Sequence, residues 1–310
     1  MIQTQPHPSR HRSLRDRQHL ISGLLFTSPA IIGLLVFTAY PLGASLYYSF
    51  CSYSVLQPPR WTGLANYRLM ALDIAHHGLL FQSVYNTLYF AAWSVPLGIL
   101  VAYLLAILLN QPVRGLAFFR TLFYIPSVVP VVASSVLWLW LFNPQYGLIN
   151  IALQHIGVGN PPGWLADPAW SKPALILMSL WGVGNSTVIL LAGLQGVPAE
   201  YYEAAELDGA SPWQRTIRIT TPLMSPYLLF LFVMGLIGAG QYFTQAWVMT
   251  NGTGSPANST LLYPMYLFQN AFQYFKMGYA CAMAWFLFIF VAIGTLLLFK
   301  TAARYVTYGE

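Results

Sequence analysis

The sequence predicts an all-α polytopic membrane protein with six transmembrane helices, and three observations carry that expectation. Of its 310 residues, 57% are hydrophobic and only 7% charged, where a soluble domain carries about 25%. Such a chain cannot clothe a globular surface in solvated side chains, so its partner over most of its length is membrane lipid. The charges it has are also separated by long empty runs. None falls between Arg17 and Arg60, Asp73 and Arg114, Arg120 and Asp167, Lys172 and Glu200, Arg218 and Lys276, or Lys276 and Lys300. Each run exceeds the roughly 20 residues that cross about 30 Å of hydrocarbon as a helix, and a charge at the bilayer centre costs at least ~2.5 kcal/mol. The third observation is a sorting of basic residues by side, given below.

A basic tail, residues 1–19, precedes the first span, about residues 20–50, which contains Pro29 and Pro41. A cleaved signal peptide is the rival reading, but signal-peptide apolar cores run about 7–15 residues, and this one is far longer. The second span covers about 81–109 and the third 121–142. Turn formers follow at Asn143-Pro144-Gln145-Tyr146-Gly147 and Gly159-Asn160-Pro161-Pro162-Gly163. The fourth span is 173–194. The gap from Ile219 to Phe275 has room for two spans, but Thr250 to Pro256 is a loop by composition. The stretch 261–275 is too short and too polar to cross, with Pro264, Gln269, Asn270 and Gln273 inside it. Its Tyr and Phe content suits the membrane interface. One span is therefore expected at 227–247 and a last one at 277–299, within a helical domain of residues 20–300 and before a tail at 301–310.

Six spans leave both termini on one side. That side holds Arg10, Arg12, Arg15, Arg17, Arg114, Arg120, Arg215, Arg218, Lys300 and Arg304; the other holds Arg60, Arg68, Lys172 and Lys276. Positive charge collects in the cytoplasm, so both termini are expected there. The net charge of +6 follows from this bias and needs no nucleic acid. Cys51 and Cys281 are too few for a disulfide framework. His76 and His77 lack neighbouring ligands for a metal and read as a solvated turn.

Four of the eight acidic residues crowd one cytoplasmic loop between spans four and five: Glu200, Glu203, Glu206 and Asp208. Pro198 starts a short helix, Glu200 suits its positive end, and Gly209 is placed to end it. Ser211 caps a second helix with Pro212 at its first position. Tyr201, Ala204, Ala205 and Asp208 fall on neighbouring turns, where two small residues admit a close approach and Glu203 offers a partner to a basic group. A merely solvated loop helix is the other reading of the same residues.

Glu203-Ala204-Ala205, then Gly209, Ile219 and Pro222, resemble the EAA loop (here 198–222) of permease subunits in bacterial ATP-binding-cassette importers. Tyr202 to Pro222, with Asp208-Gly209-Ala210 and Trp213, is similar to the branch that imports sugars and glycerol phosphate, as in the maltose-type first permease subunit. Further matches occur in order along the chain: Tyr40-Pro41 with Ser45, Ser49 and Phe50; Trp61 to Tyr67; Asn86-Thr87; Phe119-Arg120 with Pro126; Gly147 to Asn150; Gly278-Tyr279-Ala280. The chain departs from the maltose subunit in carrying no large domain inserted in an outer loop. The resemblance implies the type I importer permease fold and a coupling role for Glu203, Ala204, Ala205, Asp208 and Gly209 against a cytoplasmic ATPase. It also implies a second permease subunit, two ATP-binding-cassette ATPase subunits and an extracytoplasmic solute-binding protein. ATP and Mg belong to the ATPase partners. This chain has no GxxxxGK[ST] loop to hold nucleotide and is expected to be a non-catalytic subunit binding no cofactor.

Polar groups facing lipid are costly, so solute contacts must come from polar residues within the spans. Candidates are Gly182, Asn185 and Ser186 in span four, and Gly238, Gln241, Tyr242 and Gln245 in span five. Amides and aromatic rings suit a neutral sugar or polyol. Interhelical hydrogen bonding is the competing use, with Gly235 and Ala239 spaced for close packing. A missing cation in the spans argues against glycerol phosphate. The absence of carboxylates there argues against an ion-coupled secondary transporter.

Overall fold

The computed structural model describes residues 14–112 and 114–302; Arg10 and Arg12 of the basic tail and Arg304 lie outside them. The first helix, α1 (residues 14–49), passes through a π turn at Leu35–Ala39. Pro41 follows that turn by two residues. Its ring would clash with the carbonyl four residues back, and an extra residue in the turn relieves the clash. A hairpin of β1 (Cys51–Ser54) and β2 (Gln57–Trp61) and a helix α2 (Ala65–Ala75) lead to the central helix α3 (Leu79–Leu109). Then come α4 (Leu116–Val128), α5 (Val131–Leu141), α6 (Leu148–His155), α7 (Pro168–Trp181) and α8 (Gly184–Gln195). The loop helices α9 (Ala199–Leu207) and α10 (Pro212–Leu223) precede α11 (Ser225–Gly240), α12 (Thr244–Thr250), α13 (Tyr263–Phe268) and α14 (Met277–Ala302).

Among the described residues three helices, α1, α3 and α14, are long and apolar enough to cross unbroken, and three bent pairs raise the count to six. The sequence marked the third, fourth and fifth as single spans without locating a break; the structure bends all three. The third, 121–142, is α4 and α5 meeting at 98°. Val129 is extended (φ −65°, ψ 129°) because Pro130 follows it. The fourth, 173–194, starts earlier at Pro168 and bends by 48° between α7 and α8 at Gly182-Val183. The fifth, 227–247, spans α11 and α12 but leaves helix at 241–243, and α10 meets α11 at 64°.

Among the described residues the stretch 261–275 is not one of the helices or bent pairs long and apolar enough to cross, and its first part packs into the bundle while Phe272, Tyr274 and Phe275 stay exposed. Leu261, Leu262, Tyr263 and Met265 are each at most 2% exposed. The Tyr263 hydroxyl donates to the Met283 carbonyl (2.7 Å), and its N–H donates to Thr87 Oγ1 (2.8 Å). Its polar residues serve the same packing: Gln269 Nε2 donates to the Gly252 carbonyl and Asn270 Nδ2 to that of Tyr266.

One apolar cluster, with Phe90, Trp138, Phe142, Leu175 and Tyr263, fills the half of the bundle nearer the β1–β2 hairpin. A second, the inner cluster, with Ala102, Ala106, Leu190, Leu194 and Met224, fills the half nearer the loop helices, around α3, α8 and α11. The loops at the hairpin end gather through buried amides. Asn66 Nδ2 donates to the Ser49 and Cys51 carbonyls, Asn150 Nδ2 to those of Pro144 and Pro162, and Asn86 Nδ2 to those of Asn258 and Leu261. Gly278 starts α14 so close to the Cys51 carbonyl that no Cβ fits. By contrast α1 touches the rest of the chain mainly where its last ten residues meet α14, leaving Phe26 and Phe37 at least 80% exposed.

Candidate translocation cavity and coupling loop

The bends open a hollow at mid-bundle. α3, α7, α8 and α11 enclose about 290 Å3 lined by Phe90, Ser94, Gly98, Gly182, Ser186 and Tyr242. An adjoining hollow of about 270 Å3 is lined by Ser127, Ser134, Trp181, Asn185 and Gln245. Ser179, Gly182 and Tyr242 border both. The two helix breaks do this: Gly182 ends α7, and the 241–243 break turns Tyr242 inward and starts α12 so that Gln245 faces the second hollow. The Tyr242 ring packs on Phe90 with centroids 4.3 Å apart. Its buried hydroxyl has no hydrogen-bond partner among the described residues. Leaving such a group unsatisfied costs about 1–3 kcal/mol, and the oxygen is buried away from solvent while the residue itself borders both hollows. No ionisable group other than Tyr242 lines either hollow.

Five of the seven residues the sequence marked for the path therefore converge: Gly182, Asn185, Ser186, Tyr242 and Gln245. Gly238 and Gln241 do not. Both are exposed and line neither hollow, and a Cβ on Gly238 would meet nothing within 4 Å. Gly235, marked for packing, does pack: a Cβ there would stand 2.7 Å from Val95 of α3. The serines of the hollow, Ser94, Ser127, Ser134 and Ser179, were missed, because a lone serine in an apolar helix carries no periodic signal.

Lys172, which the sequence placed just before the fourth span, lies in the first turns of α7. Its Nζ lies 3.3 Å from Asn86 Oδ1 and about 5.5 Å from the Tyr85 and Tyr89 ring centroids. It lies two turns outward of Ser179, roughly 10 Å by helical rise, and borders neither hollow.

The acidic loop folds as its sequence suggests. Pro198 is the N-cap of α9 and Asp208 its C-cap. Gly209 has φ +76°. The Ala210 N–H bonds the Ala205 carbonyl (2.9 Å) and the Gly209 N–H that of Glu206 (3.0 Å), the two bonds of a Schellman cap. Ser211 and Gln214 form a reciprocal capping box on α10. Replacing Ser211 with Ala should cost about 1 kcal/mol of local stability, read as faster amide exchange at Gln214 and Arg215; unchanged exchange would deny the cap that role.

Glu203, Ala204, Asp208 and Gly209 are exposed and Ala205 half-exposed. Arg215 pairs with Glu206 at 3.2 Å, tying α10 to α9. Leu207 escaped notice in the sequence and is 91% exposed; Trp213 is 71% exposed. Apolar side chains standing free on an acidic loop helix were the available signal.

Cavity and loop hang on the same helices, α8 and α11, which is the construction of a membrane-spanning transport subunit. The chain belongs to the binding-protein-dependent transport system inner membrane component family, whose model matches residues 94–305. It is 42% identical over 298 residues to a probable ABC transporter permease, YesP, of Bacillus subtilis, covering 96% of this chain and 95% of that one. It is 34% identical to the lactose transport system permease LacF of Rhizobium radiobacter, covering 94% and 97%. The fold is that of a permease chain in a bacterial alginate ABC transporter (TM-score 0.79, 22% identity, 95% of this chain and 98% of that one).

Proposed function

We propose that this permease subunit passes a neutral sugar or related polyol across the bacterial cytoplasmic membrane, with both termini inside. The uncharged hollow carries this reading. Asn185, Gln245 and Ser186 offer hydrogen bonds to hydroxyl groups, and Phe90, Tyr242 and Trp181 offer aromatic rings. A phosphate would need a cation there; Lys172 is engaged elsewhere. Relatives named for lactose, arabinooligosaccharides and diacetylchitobiose support a carbohydrate.

In this reading Glu203, Ala204, Ala205, Asp208 and Gly209 seat α9 in a groove of a separate ATPase, with Leu207 as an apolar anchor. Two such ATPase subunits hold ATP and Mg. A second permease subunit completes the path, covering the open face of Gly238 and Gln241, and an external binding protein delivers the solute. Closure of the ATPase pair switches the hollow between inward-open and outward-open.

Vesicles reconstituted with all subunits and a panel of labelled neutral sugars and glycerol phosphate test it. ATP-dependent uptake of a neutral sugar is expected. Asn185→Ala and Gln245→Ala should each raise its KM about three- to ten-fold, the loss of one hydrogen bond. Uptake driven by an ion gradient without ATP, or of glycerol phosphate alone, would refute the proposal.

A further inference from the structure

Two adjacent threonines join the coupling loop to the cavity helix. The Tyr202 hydroxyl of α9 lies 3.0 Å from Thr220 Oγ1, and the Tyr103 hydroxyl of α3 lies 2.9 Å from Thr221 Oγ1. Thr220 closes a π turn, Thr216–Thr220, in α10. The Thr221 hydroxyl donates to the Thr216 carbonyl at 2.9 Å, five residues back. A hydroxyl has one proton to give, so Tyr103 donates to Thr221. Thr220 repeats the pattern toward the Arg215 carbonyl at 3.4 Å, which leaves Tyr202 to donate to it. Successive helical residues point about 100° apart, so one threonine can face the loop while the next faces α3.

We propose that Thr220 and Thr221 form a hydroxyl latch that hands movement of α9 to α3 and so to the cavity. This rests on the reading of α9 as the coupling helix and adds the route its motion takes. Tyr103 stands five residues from Gly98 and nine from Ser94, both in the cavity wall, about 7 and 13 Å along α3. As at Leu35–Ala39, the π turn ends two residues before a proline, here Pro222, whose ring needs that room, and it fixes the two threonines in place between α9 and α11. Met224, wholly buried four residues after Thr220, sits with Ala102, Ala106 and Leu194 in the inner apolar cluster. Among the described residues the other side-chain polar tie between α9 and α10 is the Arg215–Glu206 pair, whose Glu206 side chain is 72% exposed and so a weak one.

Tyr103, Tyr202, Thr220 and Thr221 are thus positioning residues, and their test separates motion from hydrolysis. In the importer assembled with its partner subunits, Asn185→Cys serves as a reporter in the cavity. The probe is a membrane-impermeant maleimide applied from outside, with and without ATP and vanadate, with the signal of the parent chain's Cys51 and Cys281 subtracted. Thr221→Val and Tyr103→Phe should shrink the nucleotide-dependent change in labelling about five-fold while ATP hydrolysis stays within about two-fold. Thr221→Ser, which keeps the hydroxyl, should behave as the parent. Tyr103→Phe removes a single oxygen and stands in if Thr221→Val fails to assemble. A full nucleotide-dependent change in Thr221→Val or Tyr103→Phe overturns the latch. If Gly209→Val abolishes the change and the latch variants do not, the latch alone falls. If Gly209→Val also leaves it intact, the coupling reading falls with it.

Discussion

Gly209→Val should uncouple the importer: solute uptake falls at least about ten-fold while the ATPase partners continue to turn over. The reason is backbone geometry. At φ +76° a residue bearing a Cβ pays about 1–2 kcal/mol, and a β-branched one is a genuine outlier there. The cheaper outcome is loss of the Schellman cap, in which the N–H groups of Gly209 and Ala210 satisfy the Glu206 and Ala205 carbonyls. With it goes the fixed angle between α9 and the capping box at Ser211. The valine side chain itself meets nothing within the chain, because a Cβ at 209 has no neighbour within 4 Å. Two controls follow. Asn enters the left-handed region more easily than other residues, so Gly209→Asn should keep most of the coupling if φ is what matters. If Asn uncouples as fully as Val, the glycine is needed instead for contact with the ATPase. ATP hydrolysed per solute imported is the measurement, and an unchanged ratio in Gly209→Val would contradict the assigned role of the loop.

That loop was the most legible part of the chain, for a physical reason. Caps are local: Pro198, Gly209, Ser211 and Pro212 act within one or two turns, so their residue types state their conformations. The bends were less legible. Pro130 is plain in the sequence, yet the apolar run continues through it, and hydropathy averages over a break that reorients the chain by 98°. The exit from helix at Gln241 has no proline at all. The stretch 261–275 reads in the sequence as short and polar, but the burial of its first part depends on partners as distant as Thr87 and Met283. The hydroxyl pairing of Tyr103 with Thr221 joins residues 118 apart, and nothing local announces it.

The matches to the family's sequence pattern divide in the same way. Apart from the loop, several are braces and not contacts with solute. Asn66 holds the end of α1, Asn150 accepts from Trp164 Nε1 (2.6 Å), Arg120 donates to the Leu109 carbonyl at the end of α3, and Gly278 admits Cys51. A buried amide that satisfies two loop carbonyls cannot be exchanged for an apolar residue without stranding them. Such residues recur in a sequence pattern although they lie away from the cavity.

Asn86→Ala offers the sharpest test of this second class. Asn86 is 1% exposed, donates to the Asn258 (2.8 Å) and Leu261 (3.1 Å) carbonyls, and accepts from Lys172 Nζ (3.3 Å). Truncation strands the Leu261 carbonyl, takes one of two donors from the Asn258 carbonyl, which keeps the Leu261 N–H (3.1 Å), and leaves the ammonium with the Tyr85 and Tyr89 rings. About 2–3 kcal/mol of stability should be lost, seen as a fall of roughly 5–10 °C in the Tm of the purified importer. Uptake per folded molecule should change little, since Asn86 borders neither hollow. The Lys172 contribution can be isolated: in Asn86→Ala/Lys172→Met no cation is left unpaired, so the pair should cost less than the sum of the single changes. Strict additivity would mean that Lys172 draws nothing from Asn86, and a fall in uptake without a fall in Tm would move Asn86 from brace to path.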